Sequence, residues 1–230
     1  MGSALTRPPR LDPAELRRFG TRLRAWYRRN ARDLPWRRTR DPYAILVSEL
    51  MLQQTQVSRV LEFYPRFLAR FGTLESLAAA QERHVLKEWR GLGYYARARN
   101  LHKLSRWVTR DGGAGRLPNE PHLLRELPGI GAYTAGAVAS FAHEKRAALV
   151  DTNVARVLSR VFAPKLDPKR PAHLTQIWKI AEASLPRTGK ATWVHNQALM
   201  ELGALVCTAR VKRCGACPVR TGCRSTGDRD

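Results

Sequence analysis

The chain has 230 residues, of which 43% are hydrophobic and 26% charged, enough for one sizeable core or two small ones and too apolar for a disordered chain. Forty-one Lys and Arg against 19 Asp and Glu give a formal net charge of +22, which favours a polyanionic partner such as nucleic acid over a merely arginine-rich, solvated surface. The least polar stretch, residues 135–142, is too short to span a bilayer, and the first ten residues hold no apolar core for a signal peptide, so a soluble, cytoplasmic protein with no membrane partner is expected.

In chain order the apolar residues recur at helical spacing almost throughout. The first 40 residues hold twelve Arg against three acids, and within them Leu16, Phe19, Leu23 and Trp26 stripe one face of a predicted helix over 14–27. Tyr43 to Phe67 reads as one long apolar-periodic stretch, followed by shorter helices over 74–80 and 83–89. A run ending at Arg125-Glu126 precedes a small-residue helix over 133–141. Val154, Val157, Leu158 and Val161 mark another helix, and 174–185 and 194–205 complete the set. Breaks fall at Leu34-Pro35, Gly91-Leu-Gly93, Asp111-Gly-Gly113, Pro128-Gly-Ile-Gly131 and Pro186. No segment alternates with period two, and there is no internal repeat or long linker. The expected class is all-α.

The only four cysteines are spaced Cys207-x6-Cys214-x2-Cys217-x5-Cys223. Four thiols so close together, with no secretory segment, read as a metal centre rather than as disulfides. Their number suits tetrahedral zinc or a four-iron cluster. One C-x2-C pair with two outliers is unlike the paired knuckles of zinc ribbons, and it favours iron–sulfur. Arg210, Lys212 and Arg213, between the first two cysteines, read as DNA contacts or as a solvated charged loop.

Leu127-Pro128-Gly129-Ile130-Gly131 lies between two helical runs. Gly129 and Gly131 allow a tight reversal around Ile130, and the next helix would start with free N–H groups at its positive dipole end, a seat for a phosphate. An ordinary αα-corner would use the same residues. Two carboxylates also stand out. Glu49 interrupts the apolar run 44–52 and is either a buried carboxyl that resists ionisation, as a general acid must, or a solvent-facing helix residue. Asp151 ends the apolar run 147–150 and is either the N-cap of the following helix or an ionised partner facing a cleft. One neutral and one charged carboxyl would repeat the division of labour in glycosidases.

The helix–turn–helix, the acid twenty residues on and the cysteine quartet, in this order from about Leu34 to Cys223, resemble the helix-hairpin-helix DNA glycosylase superfamily. The resemblance implies two helical domains: a six-helix barrel with the hairpin over 33–143, and an iron–sulfur cluster domain built from 1–32 and 144–230 around a [4Fe–4S] cluster. DNA would lie across the cleft between them. Ser48-Glu-Leu-Met-Leu-Gln-Gln-Thr55, Gly91-Leu-Gly-Tyr-Tyr-Ala-Arg-Ala-Arg-Asn100 and Glu201-Leu-Gly-Ala-Leu-Val-Cys207 are similar to the MutY-type adenine DNA glycosylases. That likeness implies a monomeric enzyme acting on mismatched double-stranded DNA in base excision repair. Glu49 would protonate the departing adenine and Asp151 would stabilise, or transiently bond to, the oxocarbenium-like sugar, supported by Tyr133 and Asn153. Gln54 and Tyr94 would wedge into the duplex during base flipping. Leu34, Trp36, Arg37 and Glu201 would line the base pocket, with core packing the competing role for Leu34, Trp36 and Tyr94.

The related endonuclease III enzymes carry Lys where this chain has Tyr133, so no Schiff base is available at that position and a monofunctional glycosylase is expected. Two departures matter. The chain ends seven residues after Cys223, where typical adenine glycosylases continue into an 8-oxoguanine-reading domain, and Thr152 stands where that family usually has Gly. Tyr133 and the short chain also resemble thymine/uracil mismatch glycosylases, whereas Gln53-Gln54, the Gly-Tyr-Tyr segment and Glu201 side with adenine. A non-catalytic, cluster-bearing DNA-binding protein is the alternative of another class.

Overall fold

A computed structural model describes residues 11–110 and 115–226. The described residues form eleven α-helices and no strand, the one β contact being an isolated bridge between Cys207 and Lys212. In order these are α1 (Pro13–Asn30), α2 (Pro42–Leu52), α3 (Val57–Arg70), α4 (Leu74–Ala79), α5 (Glu82–Trp89), α6 (Ala96–Arg110), α7 (Pro121–Leu124), α8 (Ala132–His143), α9 (Thr152–Phe162), α10 (Pro171–Ser184) and α11 (Gly189–Leu205). The all-α expectation is met. None of these helices is long and apolar enough to cross a membrane. The break read at 111–113 lies outside the described residues.

The chain divides into two compact units, one made of Arg32–Lys145 and the other of the described residues up to Ala31 together with those from Arg146 on. In the first, α2 is the central element. Asp41 starts it, accepting from the N–H groups of Tyr43 and Ala44, with Pro42 at the first helical position. Its residues from Tyr43 to Met51 are all buried, against α3, α6 and α8. Around this centre α4 and α5 pack on α6, and the single-turn α7 packs on α8.

Three sequence-based expectations need correction here. The stretch from Tyr43 to Phe67 is two helices, because the polar run Gln53-Gln-Thr-Gln56 leaves the helix and Gln54 turns through φ 56°. The run read as ending at Arg125-Glu126 is one turn long, ending at Leu124. Helix α6 was not anticipated: its five basic residues hide an apolar stripe of Ala98, Leu101, Leu104 and Val108, all buried.

In the second unit α1 lies against α10 and α11, and α9 against α10 and α11. Phe19 meets Phe162 edge to face, with ring centroids 4.9 Å apart. His195 of α11 sits in this core, fully buried, with Nε2 3.2 Å from the Ser184 hydroxyl and Nδ1 without a hydrogen-bond partner. Burial, helped by the nearby Arg24 charge, pushes its pKa down from 6.5 to about 3. Between those two values the unfolded chain binds a proton that the folded chain refuses, so stability is full above 6.5 and is lost as pH falls through the window. The melting temperature should therefore fall on acidification from about pH 6.5 to 5, and His195→Leu should flatten that part of the curve. An unchanged slope in calorimetry of the variant would remove His195 as the cause.

Candidate functional site

Glu49 is an enclosed acid, only 3% exposed on α2. The Tyr133 hydroxyl, from the first turn of α8, donates to its Oε2 at 2.6 Å. The solvent-facing reading of Glu49 is thereby discarded. Beside this pair Gln53 Nε2 donates to Thr134 Oγ1 at 3.4 Å, a second tie from the end of α2 to the start of α8.

The end of α2 is organised by a residue that the sequence reading missed. Arg97, buried on α6, donates through Nη1 to the carbonyls of Leu50 at 2.7 Å, Met51 at 2.9 Å and Gln53 at 2.5 Å. Its Nη2 donates to the carbonyls of Leu92 at 3.3 Å and Gly93 at 3.1 Å, and to Thr55 Oγ1 at 3.2 Å. A cation against the last carbonyls of a helix also suits the helix dipole. Directly after the carbonyls of Gln53 and Gly93 that it holds come Gln54 and Tyr94, both exposed, with φ of 56° and 47°. Left-handed backbone at a non-glycine residue costs about 1–3 kcal/mol, so both positions are held there by their surroundings. The core-packing role for Tyr94 is excluded by its 61% exposure.

The hairpin turn is built as its glycines required, but for two different reasons. Gly129 has φ 78°, and a Cβ there would come within 2.7 Å of the Asn100 side chain. Gly131 has ordinary extended backbone, φ −88° and ψ 175°, and a Cβ there would meet nothing within 4 Å. It is exposed at the N-cap of α8, which has no side-chain cap. The first N–H groups of α8 therefore receive no side-chain cap from Gly131.

In the other unit Asp151 is the N-cap of α9, with Oδ1 accepting from Val154 N–H at 2.7 Å and Oδ2 from Asn153 Nδ2 at 2.9 Å. All of these partners are donors, an arrangement suited to a carboxylate. Burial nevertheless raises its pKa above the ordinary aspartate value, outweighing the hydrogen bonds from Val154 and Asn153 and the Arg156 charge. Asn153 Oδ1 accepts from Arg156 Nη2 at 2.7 Å, and Arg156 Nε donates to the Cys207 carbonyl at 2.9 Å. Arg156 was also not anticipated. Gly203 gives this chain of contacts its room, since a Cβ there would lie 2.6 Å from Asn153 Cβ. Thr152 begins α9 without positive φ, so the position does not demand the glycine usual in the family.

The four cysteines are half-buried, unpaired by disulfides, and line one cavity together with Arg160, Lys212 and Arg213. Arg160 Nη1 lies 3.3 Å from Cys207 Sγ. Burial and then the other three cysteines push the Cys217 thiol up to about 11. Among the described residues no three His, Cys, Asp or Glu side chains converge as ligands of a single metal ion. Arg210, Lys212 and Arg213 are exposed around this loop, with Arg213 Nη1 also donating to the Leu205 carbonyl at 3.0 Å. Leu34 and Trp36 are buried in the Arg32–Lys145 unit, Trp36 edge to face with Tyr64 at 5.5 Å, which is the geometry of core packing. Arg37 Nη1 donates to the Arg32 carbonyl at 3.0 Å. Glu201 is fully buried on α11.

Residues 47–183 match the profile of a family described as HhH-GPD superfamily base excision DNA repair protein. The chain belongs to this superfamily. Within it, the chain is 43% identical over 223 residues to the adenine DNA glycosylase of Homo sapiens, a match spanning 93% of this chain and 40% of the human protein. Among solved structures it is similar to a thermostable thymine-DNA glycosylase, at 31% identity and a TM-score of 0.84 over 93% of this chain and 97% of that one. A trapped endonuclease III–DNA covalent intermediate shares the fold, with 23% identity and a TM-score of 0.78 over 95% of this chain and 98% of that one. This HhH-GPD chain thus spans less than half the length of its mammalian relatives.

Proposed function

We propose that this protein is a monofunctional adenine DNA glycosylase of base excision repair, acting on adenine mispaired with guanine or 8-oxoguanine in double-stranded DNA. The observation that carries the reading is the buried Glu49 carboxyl held at 2.6 Å by a phenol. In the reaction the C1′–N bond of an extruded adenosine breaks and Glu49 passes a proton to the departing base. Asp151 stabilises the positive charge developing on the sugar; water then adds its oxygen to C1′ and gives its proton to the Glu49 carboxylate, which restores the acid. Asn153 and the Val154 N–H orient Asp151 and favour its charged form. Tyr133 offers no amine, so the sugar forms no Schiff base at that position.

The supporting contacts follow the same reading. The open N-terminus of α8 behind Gly129 and Gly131 is suited to a backbone phosphate. Gln54 and Tyr94, exposed and held in strained backbone, are suited to filling the space that the flipped base leaves. Arg210, Lys212 and Arg213 are suited to phosphates. Leu34, Trp36, Arg37 and Glu201 are assigned to the base pocket by family likeness, and the burial of Leu34 and Trp36 also serves the core. The adenine assignment rests on the 43% identity to the human adenine enzyme. The likeness to the thymine-DNA glycosylase structure favours a second reading, thymine or uracil mispaired with guanine.

The four cysteines fit a [4Fe–4S] cluster. They are the only cysteines in the chain, and all line one cavity with guanidinium groups that suit anionic thiolates. A single zinc ion would instead draw its ligands to about 2.3 Å from one point. When bound, such a cluster supplies structural cross-linking or electron transfer. The residues that would hold it are Cys207, Cys214, Cys217 and Cys223.

Duplexes containing A:8-oxoG, A:G, T:G and U:G, incubated with the protein and then cleaved with alkali, test the function. Base release is expected from the first two and no borohydride-trapped adduct from any. Glu49→Gln should lower release by about 100-fold or more with duplex affinity retained, since it removes a proton donor and no phosphate contact. Release confined to T:G and U:G selects the second reading, and unchanged release by Glu49→Gln removes Glu49 from the chemistry. Across pH, release should fail on acidification at a higher pH than an ordinary aspartate would set, because burial raises the Asp151 pKa. Asn153→Ala removes a hydrogen bond that lowers that pKa, so its acid limb should move to still higher pH; single-turnover rates against pH measure this. The purified protein should be brown, with broad visible absorption that Cys214→Ser diminishes; a colourless protein retaining zinc sinks the cluster assignment.

A further inference from the structure

We propose that Arg97 is a positioning residue for base extrusion, presenting Gln54 and Tyr94 to the duplex from two loops that its one guanidinium ties together. The inference rests on the glycosylase reading above. Among the described residues no backbone–backbone hydrogen bond joins the two loops; apart from a long contact of Arg59 Nε with the Gly91 carbonyl at 3.4 Å, Arg97 makes the hydrogen bonds that link them. Nη1 gathers the end of α2 at Leu50, Met51 and Gln53, while Nη2 gathers Leu92 and Gly93 together with Thr55. Gln54 directly follows the first set and precedes Thr55, and Tyr94 directly follows Gly93, with the guanidinium 5.5 Å from the Tyr94 ring centre. Trp89 Nε1 adds a donor to Gly93 O at 3.2 Å, bracing the same loop from below.

Left-handed backbone sharpens the point. Among the described residues three non-glycine positions have positive φ, and the third, Glu144, is a helix C-cap, an ordinary use of that conformation. Gln54 is the third residue of a turn that Thr55 N–H closes on the Leu52 carbonyl at 3.4 Å, a place where glycine is usual, and Tyr94 ends no helix; glycine would relieve both. Keeping long side chains there makes sense if the strained backbone aims them, and the aim holds only while both loops are fixed to one another. Lysine cannot substitute, since its ammonium is a single point of charge and the two carbonyl sets require a planar fork.

The test is a double-mutant cycle on duplexes with 2-aminopurine at the target position, which brightens when the base leaves the stack. Arg97→Lys should bind duplex within about threefold of the wild type, yet lose about tenfold or more in single-turnover release, with a matching loss of the fluorescence rise. In a Gln54→Ala/Tyr94→Ala background the same substitution should change both readouts by less than about threefold, because the groups it positions are gone. Equal losses in the two backgrounds overturn the proposal, as do wild-type rate and fluorescence in Arg97→Lys alone. Should Arg97→Lys fail to fold, Thr55→Val removes only the hydroxyl at the edge of the fork and carries the same cycle. It is expected to lose about threefold, and no loss overturns the proposal. A wild-type protein that brightens the probe but releases no base defeats the functional reading while the fluorescence cycle still decides the role of Arg97.

Discussion

A helix buried on every side has nowhere to send the carbonyls of its last turn, and in this protein that constraint falls on α2. Each buried carbonyl left without a donor costs about 1–3 kcal/mol, so three of them would outweigh the strain of the turn that follows. One side chain meets the demand: Arg97 takes Leu50, Met51 and Gln53 with a single nitrogen. With the carbonyls satisfied, the chain can leave a dry core directly into an exposed polar loop, and Glu49 stays fixed in the same helix against Tyr133. The enclosed Glu49 carboxyl and the strained loop are thus both tied to how one helix ends.

The other unit solves the opposite problem, the start of a helix. Asp151 closes α9 by accepting from Val154 N–H, which is ordinary capping, and the same contact holds an anion in a half-buried place. The two roles weighed for Asp151, cap and reactive carboxylate, are compatible because both need an acceptor with its oxygens saturated by N–H groups. Through Asn153 and Arg156 this carboxylate is joined to the backbone of Cys207, and Gly203 leaves no room for a side chain that would part them. The tight packing explains why two residues of low individual signal, Arg156 and Gly203, stand beside the residues that the motifs point to.

Much of the fold was legible. Helical spacing located α1, α4, α5 and α8 through α11 to within a few residues, and Gly129 and the break at 91–93 turned where glycine said they would. The misses share a cause. Periodicity bridged Gln53–Gln56 because α2 is apolar on every side and sets no phase against which a break would show, and it passed over α6 because charge dilutes the stripe. Arg97 carried a usable signal: it occupies the buried face of α6 in line with Leu101, Leu104 and Val108, the same argument that singled out Glu49. Buried arginines at such positions are as informative as buried acids.

By itself the sequence determined the helices, the hairpin turn, the four thiols near the end of the chain and the superfamily. These are properties of neighbours along the chain: spacing, caps, glycine and the order of motifs. Only the tertiary structure decided that Glu49 is enclosed rather than solvated, that Tyr94 is bare and Trp36 is not, and that one arginine ties two loops. Those outcomes turn on partners far off in sequence, 84 residues away for Glu49 and up to 47 for Arg97. Whether a polar side chain is buried, and what satisfies it there, is fixed only when the chain has closed around it.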